Sequence, residues 1–368
     1  MHRIPQRVSL IVQTKEVLLD GIHRGRWHGE LPGERWLCKE LQVSRWTLRG
    51  ALTMLARQQV IRVTHGQPCK IVKKARATGV RKRSSGDWHV GLITPEPIWR
   101  LRPFVALWID ALRVWLQSQG ADLHQYDGSR YYGPGCAAAL EKLTQQAPHD
   151  CWGLLLSTHA MQRWFRDRGL PVVVVGSTFE DVPLSSVDIA YRAVGRHAAG
   201  MLLAQGHRHI AWISSDVTLA GVLECQRGFI EAFASPRYAD AEPIVCQHGG
   251  TPPDICRTLD RLLRRSAPPT ALFLQQSNAL LTTITYLAQQ GLSVPRDVSI
   301  VVGEDEPYFR HLVPEIAKYS SGSDTFYRSV CRALKRAAEG TLVAGTHTQI
   351  MPDFVPGATI ARFPAPAR

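Results

Sequence analysis

The chain has 368 residues, of which 45% are hydrophobic, and its 44 Lys and Arg against 31 Asp and Glu give a formal net charge of +13. This apolar fraction excludes disorder as the main state, and the length suits two or three domains. Residues 1–86 hold 18 basic and 5 acidic residues, whereas the remaining 282 residues hold 26 of each sign. We call these parts the basic head and the neutral body, and the head is suited to a polyanion.

The sequence shows no recognisable signal for export or membrane insertion. The first nine residues, MHRIPQRVS, lack the apolar core of a secretory signal, and no run approaches 18 apolar residues. The eight cysteines are scattered without a C-x-x-C pair, which favours reduced thiols over a disulfide or zinc framework. We therefore expect a cytoplasmic chain with no membrane partner and no metal.

The basic head predicts three helices in succession. Apolar residues recur at helical spacing over 5–24, and Gly25 ends that helix. A second short helix is predicted at about 34–41, and Ser44 is a suitable N-cap for a third helix that runs to about residue 58. The third helix has an inward face and a separate face that carries Arg45 and Arg49 one turn apart. The inward face consists of Leu48, Ala51, Leu52 and Leu55.

Two short β-strands are predicted after the third helix. They cover 60–63 and 70–73 and flank a hairpin tip with His65 and Gly66. Three helices followed by a two-stranded wing predict a winged helix-turn-helix. Its third helix fits the DNA major groove, where arginine can read guanine, while the wing tip can reach the minor groove or phosphates.

The motifs of this region resemble the DNA-binding domain of the GntR family. The run Leu31-Pro32-Gly33-Glu34-Arg35, followed by LQVSRWTLRGAL from Leu41 to Leu52, is similar to the family's LPSER and L.VSR.TVR.AL patterns. The resemblance covers about 6–74. It implies DNA contacts at the third helix, its N-cap and the wing tip, and the residues concerned are Arg35, Ser44, Arg45, Trp46, Thr47, Arg49, His65 and Gly66.

Two features of the head allow two interpretations each. Trp46 either presses on a sugar or a thymine methyl of DNA, or packs on a neighbouring side chain. The basic segment that follows the wing contains Arg81-Lys82-Arg83, which either touches phosphates or is only a solvated tether.

From the patterns of the basic head we predict a DNA-binding domain at 1–75, a linker at 76–87 and a body at 88–368.

The neutral body alternates buried strands with helices. Strand-like runs are found at 89–94, 152–156, 171–176, 209–213, 271–274 and 298–302, with helices predicted at 104–119, 190–205, 222–234 and 277–290. Continuous apolar strands between helices predict an α/β fold of parallel sheets covered on both faces. In such sheets ligands bind beyond the carboxyl ends of the strands. The loops after Ile93, Val175, Ile213, Leu274 and Val302 are therefore the candidate pocket.

Several motifs of the body resemble the effector domain of LacI/GalR regulators. They are FVALWIDALR from Phe104, GHRHIAWI from Gly206, RGFI from Arg227, PTALFL from Pro269 and GLSVPRDVSIVVGED from Gly291. The resemblance covers about 88–364. It implies a two-lobed, periplasmic-binding-protein-like domain whose cleft takes a small ligand, usually a sugar. The implied effector-binding residues are Phe104, Trp99, Ser177, Arg227, Gln276 and Asp305.

Taken together, these patterns predict a DNA-binding transcriptional regulator, most plausibly a repressor, that dimerises on a pseudo-palindromic operator under the control of a sugar. Two alternatives stay open, namely a regulator that senses a non-sugar ligand such as a nucleoside, and a solute-binding protein with an incidental basic segment. The sequence contains no G-x-G-x-x-G, G-x-x-x-x-G-K-[ST], G-x-S-x-G or H-E-x-x-H motif. We therefore expect neither an enzyme nor a cofactor.

Overall fold

The computed structural model describes residues 10–23, 27, 29–41, 43–57, 60–62, 69–71 and 88–363. It divides the chain into two compact units, Met1–Lys82 and Arg83–Arg368. The division falls within the predicted linker, whose residues lie outside the described ranges.

The N-terminal unit contains the predicted helices and strands. They are α1 (Leu10–His23), α2 (Glu34–Glu40), α3 (Arg45–Arg57), β1 (Ile61–Arg62) and β2 (Lys70–Ile71). The two strands pair antiparallel, with Ile61 opposite Ile71. The residues between the strands, including His65 and Gly66, lie outside the described residues, so the wing tip stays a prediction.

A small apolar core holds the N-terminal unit together. All four residues of the predicted inward face of α3 are buried, and they pack with Leu18 of α1, Leu37 of α2 and Ile61 of β1. Gly50 of α3 faces α1, and a Cβ atom at this position would lie 3.0 Å from two side-chain carbons of Ile11. The glycine therefore weakens the helix locally but lets the two helices approach closely.

The C-terminal unit consists of two lobes with the same sheet topology. Lobe 1 has the strand order β13-β7-β6-β5-β3-β4, and lobe 2 has the order β14-β12-β11-β10-β8-β9. The strands are β3 (Trp88–Thr94), β4 (Ala121–Asp127), β5 (Cys151–Leu155), β6 (Val172–Val175), β7 (Ser186–Ile189), β8 (His209–Ser215), β9 (Glu242–His248), β10 (Ala271–Leu274), β11 (Ser299–Val302), β12 (Ala317–Ser320), β13 (His347–Ile350) and β14 (Asp353–Val355). All neighbouring strands pair parallel except β12 and β14.

Helices cover both faces of each sheet. They are α4 (Pro103–Ser118), α5 (Ala137–Gln146), α6 (His159–Arg168) and α11 (Ser323–Ala338) on lobe 1, and α7 (Tyr191–Ala204), α8 (Ala220–Glu231), α9 (Pro252–Leu263) and α10 (Leu280–Gln289) on lobe 2. Strands enclosed on both faces bury every side chain, as in β6 and β10. This burial explains their uninterrupted apolar sequences.

The chain crosses between the lobes three times. It passes from lobe 1 to lobe 2 between β7 and α7, returns between β12 and α11, and crosses again between β13 and β14. Three strands of each lobe were predicted from their apolar runs, namely β3, β5 and β6 of lobe 1 and β8, β10 and β11 of lobe 2, whereas the interior strands β7 and β12 were missed. The edge strands β4 and β9 were not predicted, because ADLHQYD and EPIVCQH mix polar and apolar residues. The α/β fold with parallel sheets is thus confirmed.

Candidate functional site

One face of α3 presents polar and aromatic side chains to solvent. Ser44 begins the helix, since its Oγ accepts the backbone N–H of Thr47 at 3.1 Å. Arg45 and Trp46 follow at the first turn, and Trp46 is 76% exposed. A ring this accessible is not buried against the described residues of the N-terminal unit, so it is available for the DNA contact of the first interpretation.

Arg49 lies one turn further along the same face and pairs with α2. Its Nε is 3.0 Å from Glu34 Oε2, and its side chain is 68% exposed. An ion pair this accessible contributes little to stability, so the guanidinium can exchange partners at small cost. Arg35 of α2 is also exposed. Thr47 is instead buried, and its hydroxyl lies 2.8 Å from that of Ser44, so these two side chains shape the helix start.

A cavity of about 140 Å³ opens between the two lobes of the C-terminal unit. It lies at the carboxyl ends of the strands in both sheets, and each of the five predicted loops contributes to it. Its lining includes Arg102, Phe104, Ser157, Gly176, Ser177, Asp188, Tyr191, Leu219, Gly221, Gln275, Gln276 and Glu304. The loop after β5 also contributes through Ser157, and this loop was not among the predicted ones.

Three of the predicted effector-binding residues line this cavity. Phe104 begins the first turn of α4, with its ring centroid 6.2 Å from that of Phe326. Ser177 donates its hydroxyl hydrogen to the carboxylate of Asp188. Gln276 is fixed against the end of β8, since its Oε1 accepts the Ser215 N–H at 3.0 Å. The cavity therefore has an aromatic wall and an array of oriented polar groups.

The structure does not place the other three predicted residues in the cavity lining. Arg227 projects from α8 and forms ion pairs with Glu180 and Glu224. Asp305 pairs with Lys318 at 3.0 Å and borders a separate small pocket. Trp99 is 76% exposed, and the guanidinium of the neighbouring Arg100 lies 5.0 Å from its ring centroid. Arg227 and Asp305 are thus held by partners distant in the sequence, Glu180 and Lys318, which sequence spacing does not reveal.

Sequence reasoning missed the charged residues that do line the cavity. Arg102 lies in the loop after β3, and Glu304 lies in the loop after β11, so both belong to segments that were predicted to form the pocket. Asp188 lies near the end of β7, a strand that was not predicted. Arg102 and Glu304 could have been found from their location in loops that follow predicted strands. This location does not distinguish Glu304 from the adjacent Asp305.

Burial shifts the ionisation of two carboxyl groups in this region. The pKa of Asp188 is raised to about 7, mainly by burial and further by the nearby charge of Glu304, although the hydroxyl of Ser177 opposes the shift. Burial also raises the pKa of Glu306, against the opposing effect of Arg102. Near neutral pH, Asp188 is thus close to the midpoint of its titration and can act as a donor or an acceptor.

The described residues were compared with the requirements of a metal site and of a membrane-spanning helix. Within the described ranges, no group of three or more His, Cys, Asp or Glu side chains is arranged to hold a metal ion. No helix in the same part of the chain has both the length and the apolar content needed to cross a bilayer.

The folds of the two units define a winged helix-turn-helix and a two-lobed ligand-binding domain of the periplasmic-binding-protein type. Residues 10–71 match the family of bacterial regulatory proteins called gntR, and residues 199–360 match the periplasmic binding protein-like domain. The chain therefore combines a gntR-family helix-turn-helix with a periplasmic binding protein-like domain, and both resemblances predicted from its motifs are confirmed.

Curated relatives include regulators of transcription. The chain is 26% identical over 208 residues to the HTH-type transcriptional regulator CelR of Thermobifida fusca, which covers 54% of this chain and 61% of the relative. It is 27% identical over 139 residues to the HTH-type transcriptional regulator AglR of Rhizobium meliloti (strain 1021), which covers 37% and 38%. The chain thus spans less than two thirds of the length of these relatives.

Solved structures share the fold of the C-terminal unit. A putative transcriptional regulator LacI from Bacillus cereus subsp. cytotoxis has a TM-score of 0.66 at 18% identity, covering 75% of this chain and 99% of that chain. A LacI family transcriptional regulator from Enterococcus faecium, solved with bound ribose, has a TM-score of 0.62 at 16% identity, covering 75% and 100%. At these identities the likeness establishes the fold alone.

Proposed function

We propose that this protein is a sequence-specific DNA-binding transcriptional repressor whose C-terminal unit binds a small-molecule effector. The observation that carries the proposal is the joining of two sites in one chain. One is a gntR-type helix with Arg45, Trp46 and Arg49 exposed, and the other is a polar, aromatic-walled cavity between two lobes. A solute-binding protein with an incidental basic segment would not need the first of these sites.

The effector is a carbohydrate in this proposal. The cavity offers hydroxyl, amide and carboxyl groups beside the ring of Phe104, a combination that suits a polyol with one apolar face. A structural relative of the C-terminal unit holds ribose, which agrees with this choice. Nucleosides remain the alternative, because their ribose presents the same hydroxyl groups.

The regulator acts as a homodimer in the bacterial cytoplasm, where its operator is accessible. Two winged helices related by a two-fold axis would match a pseudo-palindromic operator. Binding of the effector changes the arrangement of the lobes and thereby the affinity for the operator, to the extent that the effector prefers one arrangement. The chemistry is recognition alone, so no catalytic residue or cofactor is assigned.

Replacing Arg49 by alanine tests the DNA-binding assignment. We expect the Arg49→Ala variant to lose operator affinity by about 1–3 kcal/mol, because a base or phosphate contact of the α3 face is removed. The measurement is a gel-shift titration with the promoter region of the protein's own gene. Arg257→Ala is the matched control, since Arg257 is an exposed arginine of α9 that is likewise paired with a carboxylate.

The two variants separate specific recognition from general charge loss. Equal operator affinity for Arg49→Ala and Arg257→Ala would contradict the assignment of α3 as the helix that reads the operator.

A thermal-shift screen of the wild-type chain with sugars and nucleosides identifies the effector class, because a ligand of the folded state raises the melting temperature.

A further inference from the structure

One arginine of lobe 1 reaches across the cleft into lobe 2. Arg102 immediately precedes α4, and its Nη1 donates to the carboxylate of Glu304 and to Glu306 Oε1, the latter at 3.1 Å. The same nitrogen donates to the hydroxyl of Ser277 at 3.1 Å. The backbone N–H of Phe104 donates to the second oxygen of Glu306 at 3.0 Å. The Arg102 guanidinium and the Phe104 N–H, both of lobe 1, thus bind the carboxylates of Glu304 and Glu306 in lobe 2.

Burial distinguishes the contacts of Arg102 with Glu304 and Glu306 from the Arg227–Glu180 ion pair, which also joins the lobes. The side chain of Glu306 is 1% exposed and that of Glu304 is 11% exposed, whereas Glu180, which pairs with Arg227 at the rim, is 79% exposed. Removing one partner of a buried pair leaves an uncompensated charge, which is costly. The charge of the Arg102 guanidinium is therefore already compensated by Glu304 and Glu306, and an anionic ligand would have to compete with both carboxylates for it.

The remaining polar groups of the cavity favour hydrogen-bond donors. Among the described residues that line it, the charged ones are Arg102, Asp188 and Glu304, so carboxyl groups exceed cations even before Glu306 is counted. Carboxylate oxygens accept hydrogen bonds and donate none, so this lining suits a ligand that supplies donors.

We propose that the cleft selects effectors that carry no negative charge and donate hydrogen bonds from hydroxyl groups, and that Arg102 is a positioning residue rather than an anion-binding one. This inference rests on the proposed function. A phosphate or carboxylate on the ligand would face Glu304 and Asp188, while the one cation among the described residues that line the cavity, Arg102, is already paired with two carboxylates, so sugar phosphates and uronates are rejected.

The first test uses inorganic phosphate as a probe of the full-length protein. Melting temperatures are measured in phosphate and in chloride of equal ionic strength for the wild type, Arg102→Gln and the matched control Arg100→Gln, whose arginine is exposed outside the cavity. Because the positive charge of the basic head also attracts phosphate, only the part of the shift that depends on Arg102 is informative. We expect the same shift in all three proteins. A wild-type shift lost in Arg102→Gln but kept in Arg100→Gln would overturn the proposal.

A double variant makes the test independent of how well Arg102→Gln folds. Glu304→Gln with Glu306→Gln removes both charges that hold the guanidinium. We expect phosphate to raise the melting temperature of this variant more than that of the wild type, because the charge of Arg102 becomes available to an anion. The absence of this gain, in a variant with a cooperative unfolding transition, would show that Arg102 is not the group that these carboxylates neutralise.

The second test uses matched sugars by calorimetry on the wild-type chain. Neutral pentoses and hexoses are compared with the phosphate and the uronate of each. We expect the neutral member of any binding set to bind at least about ten-fold more tightly, equivalent to about 1.4 kcal/mol. Tighter binding of an anionic member would contradict the inference. If no sugar binds, the carbohydrate assignment fails, while the phosphate experiment still decides the role of Arg102.

Discussion

At the scale of single residues, Asp188 is a group whose ionisation is coupled to folding. Its carboxyl is buried beside Ser177 and Glu304, and its pKa is raised to about 7 from an ordinary value near 4. The folded chain therefore holds the proton more tightly than the unfolded chain. The stability that this group contributes is present at low pH and is lost as the pH rises from about 4 to about 7.

We expect Asp188→Asn to flatten the dependence of unfolding free energy on pH over this interval. The amide cannot ionise, so the free energy of unfolding no longer falls as the pH rises from about 4 to about 7, while one of the two hydrogen bonds that the carboxylate accepts, from Ser177 and from the Ile189 N–H, is lost at every pH. Denaturant titrations between about pH 4 and 8 measure this. Asp216→Asn, at an exposed carboxyl, is the control, and an unchanged slope in Asp188→Asn would contradict the assigned shift.

The residue scale is also where sequence reasoning was least complete. It located the loops that form the cavity, since strand ends in a parallel sheet share one edge. It did not distinguish which side chain of a loop faces across the cleft, so it named Asp305 and Arg227 rather than Glu304 and Arg102. That choice depends on partners such as Lys318 and Glu180, which are distant in the sequence.

At the scale of elements, α7 and α8 of lobe 2 cross at close range because both contain a glycine at the contact. A Cβ atom on Gly195 of α7 would lie 2.1 Å from the carbonyl oxygen of Cys225, and one on Gly228 of α8 would lie 1.9 Å from that of Arg192. A Cβ atom cannot be accommodated at either distance without separating the helices. At Gly200, in the same α7 helix, such an atom would meet no described residue within 4 Å beyond the adjacent residues and the local helix backbone.

We expect alanine at these two positions of α7 to have opposite effects. Gly195→Ala should destabilise the C-terminal unit by at least about 2 kcal/mol, because the added methyl overlaps backbone atoms of α8. Gly200→Ala should stabilise it by about 0.5–1 kcal/mol, because alanine is the better helix former. Denaturant unfolding followed by circular dichroism compares them. Similar stabilities for the two variants would contradict the close crossing.

At the scale of the whole molecule, the charge is divided between parts with different tasks. The net charge of +13 belongs to residues 1–86, and the other 282 residues are balanced. We expect operator affinity to fall on the order of a hundred-fold between about 50 and 200 mM salt if about four phosphates are contacted, because bound counterions are released. Gel-shift titrations across salt measure the slope.

The Arg49→Ala and Arg257→Ala variants provide the control for the salt experiment. Arg49→Ala should reduce the slope by about one unit if Arg49 touches a phosphate, and should leave it unchanged if Arg49 reads a base, while Arg257→Ala changes neither slope nor affinity. An operator affinity independent of salt would show that the basic head does not contact the DNA backbone.

The sequence by itself determined the class of each unit. Periodic apolar residues, a helix N-cap and family motifs identified the winged helix, and uninterrupted apolar strands identified the parallel sheets, because both patterns depend on local geometry and burial. The tertiary structure alone decided the edge strands, the ion pair between Arg49 and Glu34, and the bridge from Arg102 to Glu304 and Glu306. These features join residues up to 204 positions apart, so their energies depend on contacts that no local pattern records.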